Sequence, residues 1–145
     1  MLDDTVSSLL LSKSGPLIVA VTPDASVTYA VCLMNHHGVG AVLVMRDGQL
    51  TGILSERDVL RRVIEPGLDP RVTRVGDVQT TRPRTIAADD RAARALDIMV
   101  EGHFRHLPVV AGGSVRGALS MSDLTHWLLG NLAAHDDGAS ISATR

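Results

Sequence analysis

The sequence predicts an α/β (α+β) protein made of two β-α-β-β-α repeats that pack about a pseudo-twofold axis. The first observation is that residues 52–58 (GILSERD) return as residues 117–123 (GALSMSD), 65 positions further on. The second is that apolar runs of strand length alternate with stretches of helical periodicity. The third is size, because one half of a 145-residue chain buries too little surface to fold comfortably alone.

One constant shift relates the two halves without a gap. Besides the residues of the repeated stretch, it superposes Asp24 on Asp89 and Gly48 on Gly113. The matches fall at turns and helix starts as well as in strands, so chance is a weak explanation. We therefore divide the chain into an N-terminal segment (1–16), a first domain (17–68), a second domain (69–132) and a tail (133–145) that we expect to be disordered.

Local patterns predict the elements of the first half. Val27, Ala30 and Met34 recur at helical spacing, and Gly38 is a suitable helix stop. In chain order we expect a short helix at 6–11, a buried strand at 17–21, a helix opened by residues 22–24, strands at 40–45 and 50–54 joined by an Asp-Gly turn, and a helix from Ser55 to about Ile64.

The second half repeats this order after a linker at residues 66–70, which is rich in proline and glycine. The same signals predict its strands, helices and turn. We expect a helical turn at 72–78, a strand end at 85–86, a helix at 89–101, strands at 107–111 and 115–119 joined by Gly112-Gly113, and a last helix at 122–132.

Composition narrows the function classes. The net charge is −2 and no run of Lys or Arg stands out, which disfavours nucleic acid as a partner. Because Tyr29, Phe104 and Trp127 are the only aromatic residues, a planar ligand would have to be held between aliphatic side chains. The longest apolar runs fall short of the ~20 residues of a membrane span, and the start lacks the pattern of a secretory signal, so we expect no membrane partner and a cytoplasmic protein.

Cysteine and histidine give little reason to predict a metal. Cys32 is the single cysteine and lies in an apolar stretch, which indicates a small buried hydrophobe. His36 and His37 are adjacent, so they do not share a helix face. No other ligand type completes this pair or the pair of His103 and His106. His126 is expected at the surface or at a dimer contact.

The repeated Gly-x-x-Ser-x-x-Asp supports two interpretations. Ser-x-x-Asp before an apolar helix is typical of a capping box, in which serine and aspartate satisfy free backbone N–H groups. The same helix start suits a phosphate, while the carboxylate can accept hydrogen bonds from the vicinal hydroxyls of a ribose. On this second interpretation the glycine lets a flat ligand approach the strand end.

The gapless repeat, residues 52–58 and 117–123, and residues 105–110 (RHLPVV) together resemble a tandem pair of cystathionine-β-synthase (CBS) domains, a Bateman module. The resemblance covers residues 17–132. It implies a regulatory module, not an enzyme, that binds an adenosine-containing ligand such as AMP, ADP, ATP, S-adenosylmethionine or NAD(H) between the repeats. Its role would be energy sensing for an unidentified regulated protein. No cofactor is required, although Mg²⁺ is admissible as a companion of ATP.

The resemblance also implies roles for individual residues, with no catalytic residue and no metal ligand. Asp58 and Asp123 would hold ribose hydroxyls. Arg57, Arg105 and His106 would reach phosphate. The ribose or phosphate edge would be formed by Ser55, Ser120 and Ser122, and adenine would lie against Val19, Val21, Thr85 and Ile86.

The two repeats differ where the ligand contacts are expected. The basic pair at 105–106 falls opposite residues 40–41 (Gly-Ala), and Arg57 falls opposite Ser122. The Met-Thr that often ends the helix before the strand in this family appears as residues 79–80 (Gln-Thr). We therefore expect two unequal clefts, and occupancy of both stays open.

Two other functions stay open. One is a structural dimerisation module with empty clefts, and the other, less favoured, is an enzyme acting on a phosphate ester. A homodimer is expected in any case, because the face around Leu33, Met34, Ile98 and Met99 carries more apolar surface than one small core needs.

Overall fold

The structure, a computed structural model, describes the backbone of residues 2–143 and the side chains of residues 2–134. Its first half contains α1 (Val6–Leu11), β1 (Ala20–Val21), α2 (Val27–His37), β2 (Ala41–Arg46), β3 (Gln49–Ser55) and α3 (Glu56–Val59), which continues as a π-helical turn, Leu60–Ile64. Its second half contains α4 (Val75–Val78), β4 (Thr80–Thr81), β5 (Ile86–Ala87), α5 (Ala92–Gly102), β6 (His106–Ala111), β7 (Ser114–Ser120) and α6 (Met121–Ala143).

The strands form two sheets, in the orders β1-β2-β3-β4 and β5-β6-β7. In each sheet a parallel pair adjoins an antiparallel hairpin, so the predicted α/β class is confirmed. The 65-residue shift holds in the hydrogen-bond register, since the pairing of Val21 with Val44 becomes that of Ile86 with Val109. Both hairpins even carry a register irregularity at the same place, after Val44 and after Val109.

Each repeat completes its hydrophobic core with a helix from outside itself. Helix α1 contributes Val6, Leu9 and Leu10 to the core of the second repeat. Helix α4, at the start of the second domain, contributes Val75 and Val78 to the core of the first. The two repeats therefore exchange their leading helices, which holds them together and brings the segment after α1 beside β7.

Several element boundaries differ from the sequence predictions. Helix α2 begins at Val27 rather than at residues 22–24, because the Ser26 hydroxyl accepts the Tyr29 N–H at 3.1 Å and forms the N-cap. The predicted strand at 17–21 pairs only at Ala20–Val21. Residues 17 and 18 are 36% and 42% exposed, since this stretch crosses toward the second repeat before it joins the sheet.

The last helix continues to Ala143, beyond the end predicted near Leu132. Residues 144 and 145 of the expected tail lie outside the described residues. Within residues 2–143, none of the helices combines the length and the apolar content that a bilayer crossing requires.

Two expectations about α2 and α5 were wrong. Cys32 is exposed, because the buried face of α2 runs through Val27, Ala30 and Met34 and leaves position 32 on the outer side. The apolar face proposed for a dimer is largely used inside the monomer, where Met34 and residues 98–99 are 1–7% exposed and lie in the two cores.

Candidate functional site

A cavity of about 1030 Å³ lies between the two repeats. Its walls are the chain after α1, the end of α2, the starts of β1 and β2, the end of β7 and the first turns of α6. Both sheets therefore contribute strand ends, and α6 points its N-terminus at the cavity. The start of a helix carries free N–H groups and a positive potential, which favour a negatively charged ligand.

Asp123 is fixed at this helix start by a reciprocal pair of hydrogen bonds. The Ser120 N–H donates to Asp123 Oδ2 at 2.8 Å, and the Asp123 N–H donates to Ser120 Oγ at 3.1 Å. Oδ2 also faces Lys13 Nζ at 2.9 Å. Among the described residues, nothing donates to Oδ1. The carboxylate thus lines the cavity with one oxygen available to a ligand hydroxyl.

Asp58, its counterpart in the first repeat, has both oxygens engaged. Its Oδ2 accepts the Ser55 N–H at 2.9 Å and the Ser55 hydroxyl at 3.1 Å. Its Oδ1 accepts the Thr80 hydroxyl at 3.2 Å and lies 3.7 Å from Arg62 Nε. The side chain is 12% exposed, against 22% for Asp123. Both aspartates therefore form the capping box through Oδ2, and they differ at Oδ1, which Thr80 and Arg62 engage in Asp58 and which accepts no hydrogen bond in Asp123 among the described residues.

The difference arises from the segment that lies over each aspartate. Thr80 extends β4 along β3 and places its hydroxyl on Asp58. The 65-residue shift puts Gly15 at the corresponding place and Pro16 after it. Gly15 has no side chain to offer and a φ of +83°, and Pro16 has no N–H for a sheet ladder. The second sheet therefore lacks a fourth strand among the described residues, and the edge beside Asp123 stays open.

Each glycine of the repeated motif lies against another backbone segment of the same chain, so the space beside it is not available to a ligand. A Cβ at Gly52 would lie 2.7 Å from the carbonyl oxygen of Thr80, and one at Gly117 would lie 2.6 Å from that of Leu17. Both distances are shorter than real Cβ contacts. The expectation that a flat ligand approaches over these glycines is therefore corrected. The backbone of Thr80 already occupies the space beside Gly52, and that of Leu17 occupies the space beside Gly117.

Several basic groups surround the cavity. Arg105 is exposed at its rim, and His106 is half-buried near Glu56. Burial lowers the pKa of His106 below its ordinary 6.5, against the opposing effects of the Glu56 and Asp123 carboxylates, so its imidazole is neutral at pH 7. Other basic lining groups are Lys13, His36, His37 and His126; among the described residues, no three potential metal ligands converge.

Aromatic rings also line the cavity, which corrects the expectation of purely aliphatic walls. Trp127 and His126 follow Asp123 by one helical turn on α6. The Trp127 Nε1–H donates to Asp4 Oδ2 at 2.9 Å, and this hydrogen bond is the largest cause of the lowered pKa of Asp4. His126 is thus a cavity residue as well as an exposed one.

The predicted site residues divide into two groups. Six of them line the cavity together: Val19, Arg105, His106, Ser120, Ser122 and Asp123. The others lie outside it. Arg57 donates to the His103 carbonyl oxygen at 2.9 Å, Ser55 caps α3 beside Asp58, and Thr85 is exposed. Val21 and Ile86 are 5% and 2% exposed core residues, which corrects the expectation that their side chains wall a ligand site.

The sequence reasoning missed Lys13, His36 and His37. Lys13 lies in the N-terminal segment outside both domains, and the 65-residue shift places it opposite the apolar Val78, so the repeat gave no signal of a cation there. The two histidines end α2 and line the cavity from the first repeat. Their position in the last turn of a helix, shortly before a strand, was the available signal, because helix ends and strand ends meet at such clefts.

Comparisons with known proteins agree on one family. The family model of the CBS domain matches the chain twice, at residues 16–65 and 75–130. CBSX3, a mitochondrial CBS domain-containing protein of Arabidopsis thaliana, is 33% identical over 129 residues, which are 83% of this chain. The chain spans 62% of that relative's length.

Solved structures show the same fold. A protein with CBS domains from Burkholderia ambifaria MC40-6 superposes with a TM-score of 0.83 at 33% identity, covering 88% of this chain and 95% of that one. CBSX2, solved in complex with AMP, gives a TM-score of 0.69 at 26% identity, covering 87% of this chain and 96% of that one.

Proposed function

This chain belongs to the CBS domain family, and on that premise we propose that it is a regulatory module that binds one adenosine-containing nucleotide in the cavity around Asp123. The observation that carries the proposal is the difference between the two aspartates. Asp123 lines a cavity of about 1030 Å³ with an Oδ1 that accepts no hydrogen bond from residues 2–134, whereas Asp58 is engaged on both oxygens. The proposal therefore makes the two ligand sites unequal and assigns binding to the aspartate of the second repeat.

The chemistry of the cavity suits the parts of a nucleotide. The Asp123 carboxylate would accept the vicinal hydroxyls of the ribose, with Ser120 and Ser122 at the same edge. Lys13 and Arg105 would bind phosphate, and the start of α6 adds its positive potential. The adenine would lie toward Val19, where β1 begins. The complex of CBSX2 with AMP supports this choice of ligand class.

Several finer expectations belong to the same proposal. The exact nucleotide, whether AMP, ADP, ATP, NAD(H) or S-adenosylmethionine, and the participation of Mg²⁺ with ATP are left to the titrations below. A role in energy sensing, an unidentified regulated protein and a non-enzymatic function follow from the regulatory reading, and the cytoplasmic location stays a prediction.

A homodimer is also part of the proposal, but its contact surface is not the one expected from the sequence. Tyr29 on α2 and Val100 on α5 are 54% and 59% exposed, although both are large apolar-bodied side chains on core-forming helices. Burying such side chains between two copies would stabilise an assembly of paired modules. Light scattering at micromolar concentration gives the mass.

Calorimetric titration tests the proposal. AMP, ADP, ATP with and without Mg²⁺, NAD(H) and S-adenosylmethionine are each titrated, and at least one is expected to bind at one site per chain. Asp123→Asn should weaken that ligand at least tenfold, since a charge-assisted hydrogen bond contributes roughly 1.5–3 kcal/mol. Asp58→Asn is the matched control and should change the affinity by less than about threefold.

The outcomes separate the candidate functions. Two sites per chain, or equal losses in the two variants, would contradict the assignment to Asp123. Failure of every ligand to bind would refute nucleotide sensing and favour the structural dimerisation module. Turnover of ADP or ATP during the titration would instead favour the phosphate-ester enzyme.

A further inference from the structure

Lys13 reaches the candidate site from outside both repeats. It follows α1, whose C-cap is Ser12, and its side chain is 25% exposed. Its Nζ donates to the Ala118 carbonyl oxygen at 2.9 Å and lies 2.9 Å from Asp123 Oδ2. The amine therefore contacts one oxygen of the Asp123 carboxylate, which the proposed function assigns to the ribose. It is also the only lysine in the sequence.

The open sheet edge explains why an amine stands there. In the first sheet Ile53 pairs with Thr80 of β4. Ala118, which corresponds to Ile53, has no such strand beside it, because Gly15 and Pro16 replace the two threonines. Lys13 supplies a donor to the carbonyl oxygen on that edge. The missing fourth strand thus opens the cavity and also leaves a carbonyl oxygen to which the Lys13 amine can donate.

We propose that Lys13 makes the cavity selective for phosphorylated nucleosides over nucleosides. This inference rests on the proposed function and specifies what the site discriminates. A ribose that binds Asp123 must share the carboxylate with the Lys13 amine or displace it. A phosphate on the same ligand offers the amine a new negatively charged partner, whereas a neutral nucleoside offers none. The free energy lost when the Lys13–Asp123 ion pair is disturbed is therefore offset when a nucleotide binds, but not when a nucleoside binds.

The charges around the amine are consistent with this role. The acidic residues that line the cavity are Asp4, Glu56 and Asp123, and Arg105 stands on the β6 side. An added phosphate would meet Lys13 and Arg105 together. Without the amine, the carboxylate of Asp123 would face that phosphate with one fewer compensating charge, so a nucleotide would bind more weakly.

The test measures binding of AMP and of adenosine to three proteins by calorimetry. The wild-type chain should prefer AMP by at least tenfold. Lys13→Met, which keeps the length of the side chain, should weaken AMP about tenfold or more and leave adenosine unchanged or tighter. Lys13→Arg should restore most of the preference. Arg46→Met removes an exposed ion pair with Asp24 elsewhere and is the matched control, with an unchanged preference.

A second readout uses the single lysine. Reductive methylation with ¹³C-formaldehyde labels Lys13 and the N-terminal amine, and saturating AMP should shift the Lys13 methyl signal in NMR spectra. Equal weakening of AMP and adenosine by Lys13→Met, or an unmoved methyl signal at saturating AMP, would overturn the inference while leaving the nucleotide site intact. If the wild type binds neither AMP nor adenosine, both this inference and its AMP-based premise are refuted.

Discussion

The different surroundings of the two aspartates lead to a prediction about stability that needs no ligand. We expect Asp58→Ala to destabilise the folded chain by about 3 kcal/mol and Asp123→Ala by about 1.5 kcal/mol. The ranking is opposite to that expected for nucleotide affinity, in which Asp123 matters more. A single pair of variants thus separates the structural use of the motif from its proposed binding use.

The magnitude for Asp58 follows from its partners. Its removal leaves the Ser55 N–H and the Thr80 hydroxyl without their acceptor, at bonds of 2.9 Å and 3.2 Å. A hydrogen bond to a charged group contributes roughly 1.5–3 kcal/mol, and partial access of water places the sum near 3 kcal/mol. Arg62, half-exposed and 3.7 Å away, adds little.

The smaller value for Asp123 has the same basis. Its cap bond to the Ser120 N–H is lost, which costs about 1 kcal/mol. The ion pair with Lys13 is about a quarter exposed on both sides and contributes about 0.5 kcal/mol more. Urea unfolding followed by circular dichroism measures both, and a slope of roughly 2 kcal/mol per M converts the losses into midpoint shifts of about 1.5 M and 0.8 M.

Thr80→Val provides the internal control. In that background the loss caused by Asp58→Ala should shrink by about 1 kcal/mol, because one of the bonds is already absent. Equal losses for the two aspartates, or a larger loss for Asp123, would refute the reasoning that Thr80 engages Asp58 as an internal substitute for a ligand.

Two further predictions concern packing and pH. Gly52→Ala should destabilise the chain by roughly 1–3 kcal/mol, because the new Cβ meets the backbone of β4. Gly130→Ala, in an open position of α6, should instead stabilise it by about 0.5–1 kcal/mol. Equal effects of the two variants in thermal unfolding would contradict this. Because burial lowers the pKa of His106, the folded chain binds fewer protons than the unfolded one, so stability is full above pH 6.5 and falls as the pH drops through 6.5 toward the lower folded pKa. His106→Gln should remove this part of the slope in urea unfolding between pH 8 and 5.5, and parallel pH profiles of variant and wild type would speak against it.

The repeat made most of the fold predictable. A strict 65-residue shift fixes which strands correspond, and the register of both parallel pairs follows it. Hydrophobic periodicity located α2 and α5, but the start of α2 was missed because Ser26, rather than residues 22–24, provides the cap. The outer position of Cys32 was missed because an apolar stretch on a helix has two faces, and only one is buried.

The candidate site was less predictable, because its contents depend on the exchange of leading helices. No local pattern says that α1 packs on the second repeat, so nothing placed Lys13 beside Asp123. The inequality of the two clefts was expected from residues 105–106 and Arg57, whereas the structure adds another cause. Within the described part of the chain, Thr80 beside one aspartate and Gly15 beside the other decide which carboxylate keeps an oxygen without a hydrogen bond.

The exchanged helices also bear on how such a chain can be assembled from parts. A fragment that ends in the linker at 66–70 would hold α1 without the core that α1 fills and would lack α4 for its own core. The complementary fragment would have the reverse deficit. Each fragment therefore needs a helix from the other to complete its core. When the two fragments are made separately and then mixed, we expect them to form one folded unit that neither forms alone.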